Sequence, residues 1–139
     1  MTVYVDSSVL LRVVLGEPDR LASWGQINQP FASELIRVEC LRTIDRARLV
    51  LGLGDAAVSE RRAAVLEALE TFSLISVSHA VLSRVAEPFP TSLGSLDAIH
   101  LATALLLREH MAGVSVATHD LELGLAARAV GFEVDGLPA

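Results

Sequence analysis

Four acids stand in segments whose other residues are built for burial. Asp6 closes the run Val3-Tyr4-Val5, and Asp97 lies inside Leu96-Asp97-Ala98-Ile99-His100-Leu101-Ala102. Asp120 ends Thr118-His119-Asp120, directly after the β-rich run 114–117. Glu39 falls about 60° from the centre line of a helical apolar stripe through Ile36, at its border. An isolated carboxylate in apolar surroundings is costly, so such groups are paired, protonated or bound to a metal. Each acid also has an ordinary use. Asp6, Asp97 and Asp120 could start turns or helices, and Glu39 could pair with Arg42. Four of them converging is harder to explain that way, because the sequence holds no Lys and few nearby Arg. An all-oxygen cluster suits a hard divalent ion, Mg²⁺ or Mn²⁺, better than a softer metal.

For these acids to meet, strands must end at one edge of a sheet. Strands are predicted at Val3–Val5, Phe31–Ser33, Leu74–Val77, Val114–Ala117 and Phe132–Val134. Helices are predicted from Ser8 to about Leu15, in a short piece ending at Trp24, and over Glu34–Leu51, Ala56–Phe72, His79–Glu87, Leu96–Glu109 and Leu121–Val130. Ile36, Cys40, Ile44, Ala47 and Leu51 form one apolar stripe on the third of these. Alternating strands and helices imply an α/β fold with a central parallel sheet and helices on both faces. Function in such folds gathers at the carboxyl ends of the strands. Neighbouring strands lie ~4.8 Å apart, so Asp6 and Asp120 could reach one ion.

The 139 residues suit one domain, 1–139, without repeats or linkers. Hydrophobic residues make up 52% of the chain, aromatics only 4%, and the net charge is −6. This balance argues against coating nucleic acid by charge alone and against stacking platforms for bases. Without Lys there is neither a P-loop lysine nor a Schiff base. The single Cys40 excludes an internal disulfide, and no run is long enough to span a bilayer, so a cytoplasmic location is expected. Cys40 itself reads as a core residue. Gly52-Leu53-Gly54 lacks the third glycine of a dinucleotide loop, and the four His lack paired metal spacing.

With these residues in view, the chain resembles the PIN-domain ribonucleases, and among them the VapC toxins of bacterial toxin–antitoxin pairs. The matching segments are Val3-Tyr4-Val5-Asp6-Ser7-Ser8, Ser33-Glu34-Leu35 through Val38-Glu39, Leu96-Asp97-Ala98-Ile99-His100-Leu101-Ala102-Thr103-Ala104 and Thr118-His119-Asp120, with Ala126-Ala127 and Gly131 downstream. The resemblance implies a single PIN-like domain and Mg²⁺- or Mn²⁺-dependent hydrolysis of RNA, with Asp6, Glu39, Asp97 and Asp120 as catalytic and metal-holding acids. It places Ser7, Ser8 and Thr118 around them, with Glu122 as an outer participant. It also implies a small cognate antitoxin as partner and a homodimer.

Arg42 and Arg46 follow Glu39 at helical spacing and are candidates for RNA phosphates; their plainer use is a solvated face paired with acids such as Asp45. Residues 34–62 hold six Arg against five acids, whereas the remainder holds five Arg against twelve. Leu10, Leu11, Val14 and Leu35 are candidates for the antitoxin's docking surface, or simply core. His100 and His119 lie close to the acids, with core packing or a surface position as their commoner uses. Two other functions compete. One is a catalytically weak PIN-like RNA-binding or protein-interaction module, which the full set of four acids opposes. The other is a phospho-accepting receiver domain, which the missing lysine opposes.

Overall fold

The computed structural model describes residues 2–138. Five parallel strands form one sheet: β1 (Thr2–Val5), β2 (Gln29–Ser33), β3 (Ser73–Ile75), β4 (Ser115–Ala117) and β5 (Val134–Asp135), in the order β3-β2-β1-β4-β5. Six α-helices connect or flank them: α1 (Ser7–Val14), α2 (Leu35–Leu51), α3 (Asp55–Leu69), α4 (His79–Val85), α5 (Ser95–His110) and α6 (Leu121–Ala129). The α/β architecture expected from the alternation of runs is the one observed.

β1 is central, and its side chains alternate between two cores. Val3 and Val5 join Val9, Leu10, Ile36, Cys40, Ile44, Val58 and Val65 beneath α1, α2 and α3. Tyr4 joins Leu101, Leu107, Val116, Leu123, Ala126 and Phe132 beneath α5 and α6. A strand buried on both faces must be apolar at every position, as Val3-Tyr4-Val5 is. The chain winds from β1 outward through β2 to β3, then returns to the other side of β1 with β4 and β5. The winding therefore reverses between β1 and β4, and a crevice opens at their carboxyl ends. Asp6 and Thr118-His119-Asp120 follow those two strands.

Two local expectations fail. The predicted helix ending at Trp24 is instead a set of turns with one 3-10 turn at Trp24–Gln26. Asp19 adopts a left-handed φ of 61°, held by a hydrogen bond from Arg12 Nη1 to its carbonyl at 3.1 Å, and Leu21 is drawn into the core. A helix cannot pass through a left-handed residue. The apolar stripe of α2 also ends early. Ile36, Cys40 and Ile44 are buried, but Leu51 is 69% exposed. The described strands differ by one or two residues at their ends from the predicted ones. No described helix is long and apolar enough to cross a membrane.

Two glycines separate the cost of backbone conformation from the cost of crowding. Gly52 ends α2 with φ 64°, and a Cβ there meets open space. Gly136 has φ 102°, and a Cβ there would lie 2.6 Å from the Thr118 carbonyl oxygen and 3.2 Å from Leu21 Cδ1. Gly52→Ala should cost about 1 kcal/mol, and Gly136→Ala more than ~2 kcal/mol because backbone must also move. Urea unfolding checks the pair; equal losses would show that the Thr118 loop yields freely to the C-terminal segment.

Candidate active site

Asp6 is where the two central strands meet. Its main-chain N–H donates to the Ala117 carbonyl at 3.0 Å, extending the β1–β4 pairing by one residue. Its side chain is 4% exposed, and its Oδ2 accepts from the Ser8 hydroxyl at 2.7 Å and the Thr118 hydroxyl at 2.9 Å. Ser7 approaches Oδ1 more loosely, at 3.5 Å. Ser8 Oγ in turn accepts the His119 main-chain N–H, and Thr118 Oγ1 accepts that of Asp120, each at 3.0 Å. Both hydroxyls are thereby oriented by the loop after β4, which leaves their protons to point at the carboxylate. Asp120 caps α6 through Oδ1, which accepts the Leu123 N–H at 3.1 Å.

Asp97 lies half-buried in the first turn of α5. Its carboxyl is pushed up to about 6, first by burial and then by the charges of Asp120, Asp6 and Glu39, with His100 pulling the other way. The acids are thus close enough to oppose one another's ionisation. Glu39, half-buried on α2, is held by His100, whose Nε2 lies 2.5 Å from its Oε1 and 3.8 Å from Asp6 Oδ1. His100 is fully buried. Its other ring nitrogen, Nδ1, lies 2.7 Å from the Tyr4 hydroxyl, and that oxygen accepts the Ser33 N–H at 3.1 Å. Burial opposes charge on His100, but Glu39, Asp6 and Asp97 outweigh it and raise its proton affinity. Burial drives the Tyr4 hydroxyl's pKa well upward, so it stays protonated.

The fold therefore brings Asp6, Glu39, Asp97 and Asp120 to one edge, with Ser8 and Thr118 on Asp6. Glu122 is exposed on the first turn of α6 and makes no hydrogen bond or ion pair among the described residues. Arg42 and Arg46 are exposed on α2, and Asp45 pairs with Arg48 rather than Arg42. Leu10 is fully buried, so it belongs to the core and not to a docking surface. Tyr4 and Ser33 were not legible as site residues. The chain's single Tyr, at the inward position of the central strand, was the available signal for the first.

Among the described residues, no three His, Cys, Asp or Glu side chains stand arranged to enclose an ion. The chemistry of the donors nevertheless fits a hard divalent cation. All four are carboxylates, no Arg pairs with any of them among the described residues, and Asp97 carries the repulsion that two positive charges would relieve.

Known proteins resemble the chain along nearly its whole length. A family model described as PIN domain matches residues 3–128. Ribonuclease VapC47 of Mycobacterium tuberculosis (strain CDC 1551 / Oshkosh) is 30% identical over 137 residues, 94% of this chain and 93% of that protein. Ribonuclease VapC46 of M. tuberculosis (strain ATCC 25618 / H37Rv) is 32% identical over 135 residues, covering 95% of each. A solved toxin–antitoxin complex from Klebsiella pneumoniae shares the fold with a TM-score of 0.66 at 18% identity, over 93% of this chain and 94% of that one.

Crowded acids should weaken the metal-free fold. Asp97 is raised in the folded state above the ~3.9 of an unfolded chain, so the fold prefers it protonated. Its contribution is fully present below about pH 4 and is lost as pH rises through about 6. In chelator at pH 8, Asp97→Asn should therefore melt about 2–6 °C above the parent, corresponding to roughly 1 kcal/mol after solvent screening of a half-exposed group. The difference should vanish at pH 4. Calorimetry at the two pH values checks this, and a variant melting below the parent at pH 8 would contradict it.

Proposed function

The chain belongs to the PIN-domain family, and from that premise we propose that it is a metal-dependent endoribonuclease serving as the toxin of a VapBC-type pair. Relatives along nearly its whole length bear the name ribonuclease VapC. The observation that carries the reading is the gathering of Asp6, Glu39, Asp97 and Asp120 at the reversal of the sheet, with Asp97 raised to about 6 by burial and its acidic neighbours.

Asp6, Asp97 and Asp120, with Glu39, would hold Mg²⁺ or Mn²⁺. When bound, the ion supplies positive charge to a scissile phosphate and acidity to a water nucleophile. Ser8 and Thr118 hold the Asp6 carboxylate in place through the hydrogen bonds they donate to Oδ2. Whichever carboxylate is not fully engaged by the ion, Glu39 or Asp97, would accept a proton from the attacking water. Attack by water on phosphorus with departure of O3′, which takes up a proton, would leave 5′-phosphate and 3′-hydroxyl ends. Arg42 and Arg46, exposed one and two turns after Glu39, would bind RNA phosphates on either side of the cleaved bond.

A small cognate antitoxin would neutralise the enzyme in the cytoplasm, and a homodimer would be the working form. The Klebsiella structure that shares this fold is of a toxin–antitoxin complex, which supports a partner of this kind. Leu11 and Val14 on α1 and Leu35 at the start of α2, each only partly buried, are the remaining candidates for that contact.

Purified protein should cleave RNA with Mg²⁺ or Mn²⁺ and stop in excess chelator. Asp6→Asn and Asp97→Asn should each lower the rate by ~100-fold or more without unfolding, and Thr118→Val by about 10–100-fold. Sequencing new 5′ ends in total RNA after brief induction measures this. Cleavage that survives both Asp changes would sink the assignment, and RNA binding without cleavage would favour the non-catalytic module. Pull-down from the source cell should recover a small protein encoded beside this one; repeated failure to do so would remove the antitoxin from the reading.

A further inference from the structure

The hydrogen-bond chain from Ser33 through Tyr4 and His100 to Glu39 contains two buried polar side chains that the hydrolytic scheme does not use. Tyr4 and His100 are 1% and 0% exposed, in positions where apolar side chains would satisfy the burial pattern of β1 and α5 equally well. The geometry is specific. Ser33 N–H fills one lone pair of the Tyr4 oxygen at 3.1 Å, and the Tyr4 hydroxyl meets His100 Nδ1 at 2.7 Å. The two rings stand edge to face at 67°, with centroids 6.0 Å apart. The imidazole can then neither flip nor slide, and its remaining nitrogen, Nε2, is left facing Glu39 at 2.5 Å. An ionised carboxylate only accepts hydrogen bonds, so Nε2 carries the proton whatever the state of Nδ1.

We propose that Tyr4 and His100 are positioning residues. The His100 Nε2–H fixes the Glu39 carboxylate at the mouth of the acidic cleft, and Tyr4, itself set by the β2 main chain through Ser33, fixes His100. The inference rests on the nuclease reading for its consequence but not for its geometry. Glu39 comes from a different layer than Asp97 and Asp120, since α2 packs on the opposite face of the sheet from α5 and α6. Its side chain is long and 21% exposed, so it would otherwise lose considerable rotamer freedom on being ordered. The chain of hydrogen bonds ties it across the sheet to the same strand that ends in Asp6. This does for Glu39 what Ser8 and Thr118 do for Asp6.

The test uses full-length protein and Mn²⁺ as the probe. Ring ¹⁵N spectra of the metal-free wild type should show His100 protonated at Nε2; an unprotonated Nε2 would overturn the proposal whether or not the protein cleaves RNA. Tyr4→Phe and His100→Leu should each weaken Mn²⁺ binding by calorimetry about 10–100-fold and lower kcat on RNA similarly, with KM little changed. His100→Gln places an amide N–H near the position of Nε2 and should recover at least part of both losses. Folded Tyr4→Phe and His100→Leu proteins that bind Mn²⁺ as wild type does would overturn the proposal, as would equal losses for His100→Leu and His100→Gln. Should the leucine variant fail to fold, Tyr4→Phe and the wild-type spectrum still decide. A wild type that neither binds Mn²⁺ nor cleaves RNA would instead remove the nuclease reading, with the ¹⁵N result still ruling on the positioning of Glu39.

Discussion

Satisfying the buried carboxyl group of Asp6 is the requirement on which the carboxyl edge of the sheet is organised. The carboxylate follows a strand buried on both faces and is almost out of contact with water. Two hydroxyls supply what the solvent would have supplied, and each is oriented by a main-chain N–H of the loop after β4. That loop must therefore hold one shape. It does so partly because β5 pairs with β4 and because the C-terminal segment presses on it at Gly136, where His119 Nδ1 donates to the glycine carbonyl at 2.7 Å. A buried carboxyl group at residue 6 thus constrains chain as far away as residue 136.

Helix geometry reduces the cost of assembling like charges. Asp6 stands at the N-terminus of α1, Asp97 in the first turn of α5 and Asp120 at the N-terminus of α6. Each helix contributes about half a positive charge there, worth ~0.3–1 kcal/mol to a carboxylate. Together these dipoles do not neutralise four acids, as the rise of Asp97 shows. Glu39 lacks such a terminus, lying inside α2, and is held by a side chain instead.

Most of this was legible where a local pattern had a single physical reading. Val3-Tyr4-Val5 can only be a fully buried strand, and Leu96–Glu109 can only be a buried helix, so Asp6 and Asp97 announced themselves by contrast with their surroundings. The same alternation implies parallel strands but not their order; the order β3-β2-β1-β4-β5, which sets β4 beside β1 and brings Asp120 to the edge where Asp6 stands, is decided by long-range packing. Residues 16–23 misled because the left-handed Asp19 is held by a contact from Arg12, seven residues back, which no periodicity encodes. Leu51 misled because the partner surface of α2 ends before the helix does. The Tyr4–His100 pair lay hidden for another reason. Its members are 96 residues apart, and in each segment an aromatic ring fits the burial pattern as well as an aliphatic side chain.

The charge distribution finally bears on how an acidic chain could handle an anionic polymer. The net charge of −6 is not spread evenly. Residues 34–62, spanning α2 and the start of α3, hold six of the 11 Arg and only five of the 17 acids. Four acids, Glu39 of that segment among them, gather at the sheet edge, where a divalent cation would reverse the sign of the local potential. Guanidinium groups on α2 and a cation in the cleft would together present a discontinuous positive track, although the whole molecule repels RNA at long range. Such a surface binds weakly unless the metal is in place, because the Arg side chains alone face the field of unfilled carboxylates. Metal occupancy would then govern substrate binding as well as chemistry, a coupling that a lysine-rich RNA-binding face would not produce.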